Sequence, residues 1–255
     1  MSAPGDSYRS KSLSERLAAS LPAGGALAAV RRRLKPLFAR WLDVGGGGLR
    51  SVLPGGEVVL VAPELRHMTW NPEEYSAFRA AVRPGAVVLE AGANVGAYTM
   101  LFAQWVGPAG RVFAFEPDPE AYAGLQKHIV RNSLADRVTA VPAAVGDGRA
   151  STLRLALGEA HAASREVSVV SIAQFCADRG LTPPLIKIAA QGAELAVLGG
   201  ARATIAAAGP GLHLFVEMHA HLWPALGIAA DDVRRECEAQ HLVAERLDGS
   251  RDANL

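Results

Sequence analysis

From residue 87 onward, short apolar runs alternate with segments in which apolar residues recur at helical spacing. The short runs predict buried strands, and the recurring spacing predicts amphipathic helices. The expected strands are Val87–Ala91, Arg111–Phe115, Val138–Val141, Leu185–Ala189 and Leu212–Met218, with Leu242–Ala244 as a last short one. The expected helices are Gly96–Val106, a segment marked by Ala121, Leu125 and Ile129, Ile172–Arg179, a segment through Leu195, Leu198, Ala201 and Ile205, and Asp231–Gln240.

This alternation predicts a Rossmann-like α/β fold with a mostly parallel central sheet. Right-handed crossovers between parallel strands place helices on both faces of such a sheet. Ligands bind at the carboxyl ends of the strands, near the point where the strand order reverses. We therefore expect the site to be formed by the loops after Ala91, Phe115, Ala189 and Met218.

Two segments depart from the alternating pattern. Leu153–Leu157 and Val167–Val170 predict a hairpin inserted into the domain. Near the beginning of the chain, apolar residues at helical spacing predict an N-terminal helical extension over residues 1–50, which ends in the glycine run Gly45–Gly48. We therefore assign the ligand-binding domain to residues 51–255.

Residues 51–83 precede the alternating core and predict a lid-like segment. A hairpin is expected around the turn Pro54-Gly55-Gly56, and a helix over Pro72–Val82 with Asn71 as its cap. Such a segment can fold over the pocket, where aromatic rings would pack on an acceptor; ordinary core packing is the alternative. The side chains expected to contact the acceptor are His67, Trp70 and Tyr75.

Composition and charge narrow the class of protein. Half of the 255 residues are hydrophobic, so the chain has enough apolar surface for a sizeable core. The net charge of +1 gives no electrostatic reason to expect a nucleic-acid or membrane-surface partner. The two cysteines, Cys176 and Cys237, form no Cys-x-x-Cys pattern, which suits a reducing compartment, and we expect a cytoplasmic protein. Nothing in the sequence indicates the oligomeric state.

The strongest chemical signal is the segment Glu90-Ala91-Gly92-Ala93-Asn94-Val95-Gly96, which follows a strand and opens a helix. Gly92 and Gly96 remove side chains where the backbone has to turn tightly and approach a ligand. The segment is not the Gly-x-Gly-x-x-Gly fingerprint of dinucleotide sites. A carboxylate at Glu90 would repel a pyrophosphate and attract the ammonium group of an amino acid.

A second acid, Glu116, ends the next strand about 20 residues beyond Gly96. A carboxylate at that place can accept hydrogen bonds from both hydroxyls of a ribose. Glu90 for an amino group and Glu116 for a ribose together describe S-adenosylmethionine (SAM) better than NAD.

These motifs resemble the FkbM family of SAM-dependent methyltransferases. The likeness covers roughly residues 55–225 and rests on Val88–Thr99, Gly107–Pro117, Asn132–Leu134, Val169–Ile172, Leu185–Ile188, Gly192–Leu198 and Glu217–His219. It implies a Rossmann-like fold and methyl transfer to a hydroxyl group, typically of a sugar, polyketide or other natural product. We expect contacts to SAM from Glu90, Gly92, Ala93, Asn94, Gly96, Tyr98, Glu116, Pro117 and Ala144.

The chain departs from the family pattern after the fourth strand. The family usually reads Lys-Ile-Asp-x-Glu-Gly, whereas this chain reads Lys187-Ile188-Ala189-Ala190-Gln191-Gly192. A family-typical Asp is also replaced by Ala173. Roles of those acids as general base or metal ligands therefore do not carry over. Gln191 can hydrogen-bond a substrate but takes no proton at neutral pH.

Lys187 lies in an apolar strand, where an unpaired ammonium group is costly to bury. Its expected partner is Glu90, Glu194 or Glu217, and a structural pair is favoured over a direct catalytic role.

Transfer to a hydroxyl group needs a base, usually a histidine or a carboxylate. Glu217, His219 and His221 alternate at the end of the fifth strand, so they share one face if the extended conformation continues. His219 is the first choice for the base and His221 the second, with Glu217 facing the substrate. A metal site is a less favoured alternative for the same Glu-x-His-x-His pattern, and we expect none.

The sequence thus predicts a SAM-dependent O-methyltransferase that acts on a small molecule. One alternative is a SAM-binding protein of the same fold that has lost or changed methyl transfer, and that serves as a binding or partner subunit or carries out other chemistry on the sulfonium. A nicotinamide-dependent oxidoreductase is a weaker alternative, because the dinucleotide fingerprint is missing.

Overall fold

The computed structural model describes residues 48–157, 163–247 and 249. In chain order, its strands and helices are β1 (Leu49–Val52), β2 (Val58–Val61), α1 (Pro72–Ala81), β3 (Val87–Ala91), α2 (Ala97–Val106), β4 (Arg111–Phe115), α3 (Pro119–Arg131), β5 (Val138–Val141), β6 (Ala143–Val145), β7 (Thr152–Leu157), β8 (Ala163–Val170), α4 (Ile172–Ala177), β9 (Leu185–Ile188), α5 (Glu194–Ala208), β10 (His213–Val216) and α6 (Ala230–Ala239). Apart from residues 48–50, the predicted N-terminal extension lies outside the described residues.

The central sheet has the strand order β10-β9-β3-β4-β5, and all of its neighbours are parallel. The chain runs outward from β3 to β5, then returns to β9 on the other side of β3. This reversal lies between β3 and β9, which is where parallel α/β sheets bind ligands. The predicted fold class, a mostly parallel sheet in a Rossmann-like arrangement, is confirmed.

Each face of the sheet is covered by its own layer of helices. Side chains alternate along β3, so Val88 packs with α1, α2 and α3 on one face, and Leu89 packs with α4 and α5 on the other. These two hydrophobic clusters bury the sheet on both faces. A strand in such a sheet has no polar side, which explains why the strands are continuously apolar in the sequence.

The predicted strand and helix bounds are right to within a few residues, except that one predicted strand is not found. The end of β10 matters most for the site. Strand β10 ends at Val216 rather than Met218. The predicted last strand at Leu242–Ala244 was wrong, because those residues form no strand. The N–H group of Leu242 donates to the carbonyl oxygen of Cys237 at 2.8 Å, so this segment closes the end of α6 instead of joining a sheet.

A smaller sheet of order β6-β8-β7 lies beside the central one. Its antiparallel pair β7–β8 confirms the predicted inserted hairpin. Strand β6 was not predicted. It begins directly after Pro142, which has no N–H group to donate to a ladder, and it pairs in parallel with β8.

Residues 51–83 form a packed layer against α2 and α3. The predicted hairpin is β1–β2, and Asn71 caps α1 by accepting hydrogen bonds from two backbone N–H groups. The backbone of Leu60 and the side chain of Asn132 exchange two hydrogen bonds, of 2.7 and 3.0 Å. These hydrogen bonds hold the segment against the core.

Within the described part of the chain, the helices are all too short or too polar to cross a bilayer.

Candidate functional site

Four loops begin side by side at the carboxyl edge of the central sheet. The N–H groups of Gly92 and Ala93 donate to the carbonyl oxygen of Phe115, at 3.0 and 2.9 Å. The N–H group of Ala189 donates to Ala91 at 2.8 Å, and that of Glu217 donates to Ile188 at 2.8 Å. The four loops expected from the sequence are therefore neighbours.

Gly92 allows two of these loops to touch. Its φ is +80°, and a Cβ atom at this position would lie 2.0 Å from the carbonyl oxygen of Ala189. Gly96 has a φ of +90°, and its Cβ would lie 2.7 Å from Leu125 on α3. Both glycines are therefore required by the backbone and its neighbours, as their place in the motif predicts.

The backbone N–H groups of the turn are all bonded within the protein. Besides Gly92 and Ala93, the N–H group of Asn94 donates to Glu116, that of Val95 to the side chain of Asn94, and that of Gly96 to Ala93. A pyrophosphate is normally bound by free N–H groups at such a turn. Between residues 92 and 96, each N–H group is therefore already engaged inside the protein.

Glu116 ends at the same edge, with its carboxylate held by the backbone. One oxygen accepts the N–H group of Asn94 at 2.7 Å, and the other accepts that of Asp118 at 2.8 Å. Burial raises the pKa of the Glu116 carboxyl, although both N–H donors act in the opposite direction. Each oxygen of an ionised carboxylate has further capacity to accept a hydrogen bond. Glu116 can therefore receive hydroxyl groups of a ligand.

Pro117 follows Glu116 in the sequence, and Ala144 lies three residues beyond the end of β5. Pro117 links Glu116 to Asp118, whose side chain caps α3. Ala144 is buried in β6, opposite Val169, just beyond the end of β5. Their expected contacts to SAM stay predictions.

Glu90 is engaged inside the protein, and its expected contact with the ammonium group of SAM stays a prediction. Its side chain lies on the α2 face of β3, where one oxygen accepts the hydroxyl of Thr99 at 2.6 Å. The other oxygen lies 3.7 Å from the ammonium nitrogen of Lys187. All three residues are buried. Burial raises the pKa of the Glu90 carboxyl, and the charge of Lys187 opposes this shift.

Lys187 is thus the structural partner of Glu90, and of the three carboxylates expected for it, this one is found. Its ammonium nitrogen also lies 5.6 Å from the centre of the Tyr98 ring. The Lys187 side chain is only 7% exposed. Lys187 is thus found as a paired and buried ammonium group, and its expected catalytic role stays a prediction.

Tyr98, the second residue of α2, connects this helix to α1. Its hydroxyl donates to the carboxylate of Glu74 and accepts the N–H group of Asn71 at 3.0 Å. Burial raises the pKa of the Tyr98 hydroxyl, and the neighbouring Glu74 raises it further. Tyr98 therefore stays protonated and serves as a fixed wall beside Lys187.

The loops after β9 and β10 are joined by a buried carboxylate, Glu194, which is the first residue of α5. Its Oε1 lies 2.8 Å from Nδ1 of His219 and accepts the N–H group of Gly192 at 2.8 Å. Its Oε2 accepts the indole N–H group of Trp223 at 3.1 Å. Burial alone would raise the pKa of Glu194, but these hydrogen bonds hold it below its usual value.

The expectation that Glu217, His219 and His221 share one extended face was wrong. Strand β10 ends at Val216, and the chain then turns, with the N–H group of Leu222 donating to His219 at 2.9 Å. Nε2 of His219 lies 3.6 Å from the half-exposed carboxylate of Glu217. His221 is exposed, with its ring centre 6.1 Å from that of His219.

Ala189 and Gln191 occupy the mouth of the site between these groups. Gln191 is exposed and has a φ of +43°, in the left-handed region. The next residue, Gly192, has a φ of +96°, and a Cβ atom there would lie 2.6 Å from Leu226. This tight turn is what directs the Gly192 N–H group to Glu194.

Two of the three expected acceptor contacts are part of the core. Trp70 is buried and its indole N–H group donates to Ala97, the first residue of α2, at 3.0 Å. Tyr75 donates to Glu57 at 2.7 Å and packs against Trp105. Trp105 lies eight residues beyond Ala97, or about 12 Å along the helix, so Tyr75 lies far from the turn.

These contacts correct the acceptor roles expected for Trp70 and Tyr75, because large rings lower the free energy most when they are buried. His67 is exposed in the turn before α1, and its expected role stays a prediction.

Two contributors to the site escaped the sequence analysis. His128 on α3 accepts the N–H group of Ala62 through Nε2 at 2.9 Å, and its Nδ1 lies 2.6 Å from the carbonyl oxygen of Val95 in the turn. Glu194 is the other. Its position at the start of a helix that follows a buried strand was the available signal, but its partner lies 25 residues further along.

No group of three or more His, Cys, Asp or Glu side chains able to hold a metal ion occurs among residues 48–157, 163–247 and 249.

A family model described as the methyltransferase FkbM domain matches residues 90–241, which is more than half of the chain. The 31-O-demethyl-FK506 methyltransferase FkbM of Streptomyces tacrolimicus is 47% identical over 57 residues. That match covers 22% of this chain and 22% of the relative, so it spans about a fifth of the relative's length.

Two solved structures have related folds. The precorrin-6y C5,15-methyltransferase of Geobacter metallireducens is 13% identical, with a TM-score of 0.44 over 70% of this chain and 76% of that one. A SAM-dependent O-methyltransferase of Thermotoga maritima is 22% identical, with a TM-score of 0.29 over 38% of this chain and 40% of that one.

Proposed function

Because the chain belongs to the FkbM family of methyltransferase domains, we propose that it uses SAM to methylate a hydroxyl group of a small molecule. The observation that carries this proposal is the presence of two suitable groups at the same edge of the sheet. Glu116 follows β4 and has a carboxylate suited to a ribose, while His219 follows β10 and has an imidazole suited to accept a proton. The strand-order reversal between β3 and β9 lies between them.

The residues of the turn fit SAM better than a dinucleotide. The segment lacks the Gly-x-Gly-x-x-Gly pattern of dinucleotide sites, and the N–H groups of residues 92–96 are already bonded inside the protein. Glu116 would receive the ribose hydroxyls, and Gly92, Ala93, Asn94 and Gly96 would form the close wall beside the methionine part. Pro117 and Ala144 would border the adenine side. Glu90 would act one layer below, by holding Lys187 and the start of α2.

When bound, SAM supplies a methyl group: the acceptor oxygen forms a bond to the methyl carbon as the carbon–sulfur bond breaks, and its electron pair stays on sulfur. The protein then has two tasks, which are alignment of the acceptor and removal of its proton. In our proposal, Nε2 of His219 takes the hydroxyl proton. Glu217 and Gln191 border the acceptor, and His67 lies further out.

Calorimetry with three ligands tests the cofactor. We expect SAM and S-adenosylhomocysteine to bind to the full-length chain and NAD to show no heat of binding. Absence of SAM binding at millimolar concentration would contradict the proposal. Methyl transfer is then followed with SAM that carries a labelled methyl group, against a panel of sugars and macrolides. The panel begins with 31-O-demethyl-FK506, because the relative from Streptomyces tacrolimicus is described as acting on it.

A second candidate is a SAM-binding protein of the same fold that no longer transfers methyl groups. Ala189 and Gln191 favour it, because neither side chain can take a proton. The test is the double variant Ala189→Asp, Gln191→Glu on the same panel. Turnover by the original chain supports the enzyme. Turnover by the double variant alone supports the second candidate.

We also propose a role in natural product biosynthesis and a cytoplasmic location for this protein. Both cysteines of the chain, Cys176 and Cys237, are free thiols, which agrees with a reducing compartment. Cell fractionation of the producing organism tests the location.

A further inference from the structure

We propose that Glu194 is a positioning residue, which holds the proton of His219 on Nδ1 and thereby leaves Nε2 free to accept the proton of the acceptor. This inference rests on the proposed function, since it names the device that prepares its base.

The geometry of the pair is that of a fixed imidazole. Oε1 of Glu194 lies 2.8 Å from Nδ1 of His219, and the Glu194 side chain is fully buried. His219 itself is 18% exposed, so its other edge reaches the mouth of the site. A buried carboxylate on one ring nitrogen and an accessible second nitrogen are the two requirements for an oriented general base.

The charge of Glu194 determines which nitrogen of His219 carries the proton. An ionised carboxylate accepts hydrogen bonds and donates none, so the nitrogen that faces it must carry hydrogen. Glu194 is kept ionised by Gly192 and Trp223, whose N–H groups donate to it. It also lies at the first position of α5, where the helix dipole favours a negative charge.

The carboxylate has little freedom to leave His219. Both of its oxygens are engaged, by donors that come from the loop before α5 and from the short helix Trp223–Leu226. A change of rotamer would leave a buried indole N–H group and a buried backbone N–H group without an acceptor, each at a cost of about 1–3 kcal/mol. The pair is therefore formed before any acceptor arrives.

Two other titratable groups face His219. The carboxylate of Glu217 lies 3.6 Å from Nε2, but it is 53% exposed and free of the burial that fixes Glu194. The ring of His221 is 6.1 Å away and exposed. We assign the positioning role to Glu194 because only this carboxylate is buried and bonded on two sides.

In the proposed step, the proton of the acceptor hydroxyl moves to Nε2 while the oxygen forms its bond to the methyl carbon. His219 then carries one proton on each nitrogen, and the negative charge of Glu194 stabilises this cation. Glu194 itself takes no proton.

The test compares Glu194→Gln with Glu236→Gln in the full-length chain. Glu236 is a matched control, because it is also buried and its carboxylate also forms an ion pair, with Arg202 on α5. NMR of protein with 15N-labelled histidine reports which ring nitrogen carries the proton. We expect Nδ1–H for His219 in the original chain and in Glu236→Gln, and a mixture of both forms in Glu194→Gln.

The kinetic arm uses the best acceptor found on the panel. We expect Glu194→Gln to lower kcat by about 100-fold or more, with KM and SAM affinity within about 3-fold of the original. The acidic limb of its pH–rate profile should move to lower pH, because a neutral amide no longer stabilises the cation. Glu194→Asp should recover part of kcat, because it restores the charge.

Several outcomes would overturn the inference. One is an Nε2–H form of His219 in the original chain, which NMR detects even if no acceptor is ever found. Another is a Glu194→Gln variant that loses kcat and SAM affinity in equal measure, as a purely structural residue would. If Glu194→Gln does not fold, the form of His219 in the original chain and in Glu236→Gln decides the inference, because that NMR measurement needs no variant of Glu194. Failure of SAM to bind at all would instead contradict the proposed function.

Discussion

Glu90 and Lys187 lie opposite each other on the neighbouring parallel strands β3 and β9. Their buried side chains form an ion pair of 3.7 Å. The strand register makes this contact, because both residues point to the α2 face. Thr99 completes the group by donating its hydroxyl to Glu90. The pair therefore connects the two strands from which the glycine turn and the loop after β9 begin.

Replacement of Lys187 by Met should destabilise the protein more at pH 8 than at pH 5. The folded-state pKa of Glu90 is raised above 4.5 by burial, and Lys187 opposes the shift. A raised carboxyl pKa gives stability that is present below the unfolded pKa and lost as pH rises through the folded one. Without Lys187 this loss grows, and we expect about 3–5 kcal/mol at pH 8 from urea unfolding.

The control for this variant is Lys127→Met, which breaks an exposed ion pair of 3.3 Å with Glu64. We expect this change to cost less than about 1 kcal/mol. An equal loss for Lys187→Met at both pH values would contradict a buried charge at Glu90.

Gly92→Ala should be far more damaging than Gly107→Ala, although both positions have a positive φ. At Gly92 the added Cβ would meet the oxygen of Ala189 at 2.0 Å, whereas at Gly107 it would meet nothing within 4 Å. Gly107 has a φ of +67° and a ψ of −170°, a region that is adopted almost only by glycine, so Gly107→Ala carries backbone strain alone, of about 1–3 kcal/mol. We expect more than about 3 kcal/mol for Gly92→Ala in urea unfolding. Similar costs at the two positions would show that the loops after β3 and β9 do not touch.

Glu116→Gln should weaken SAM binding by about 10- to 100-fold, the range expected when hydrogen bonds to a charged group are lost. The amide also cannot accept from both Asn94 and Asp118 as the carboxylate does. Calorimetry measures the affinity, and Glu120→Gln, an exposed acid in the first turn of α3, is the control. SAM affinity within 2-fold of the original in Glu116→Gln would argue that the ribose binds elsewhere.

The protein should lose stability below pH 6.5 through His128. Burial lowers the pKa of this histidine from 6.5, so the folded state resists protonation more than the unfolded chain does. A lowered pKa means stability that is present above the unfolded pKa and lost as pH falls. Protonation would also remove the acceptor for the Ala62 N–H group.

His128→Gln removes this titration. We expect the variant to be less stable than the original at pH 7 and to show a flatter stability curve between pH 7 and pH 5 in urea unfolding. His213→Gln, on the exposed start of β10, should leave the curve unchanged. A curve of the original slope in His128→Gln would assign the acid sensitivity to another group.

Much of the fold could be predicted from the sequence, because the signals that carry it are local. The apolar runs and helical spacings lie within single elements, so the strand Arg111–Phe115 was predicted at its observed bounds. The same holds for the glycine turn, where a positive φ at Gly92 and Gly96 is a property of the backbone itself. The acid at Glu116 followed from its place at a strand end.

The partners of the polar side chains could not be predicted, because they depend on how elements distant in sequence meet. Strand register brought Lys187 to Glu90 rather than to Glu194 or Glu217. Strand β10 ends early, and the loop that follows brings His219 to Glu194, 25 residues before it in the sequence.

The sequence by itself thus determined the alternating strands and helices, the glycine turn and the acid that follows β4, since the spacing of residues along the chain encodes them. Only the tertiary structure decided which carboxylate holds the candidate base and which aromatic rings belong to the core. Burial and hydrogen-bond partners arise when separate elements pack, and residue order along one element does not specify them.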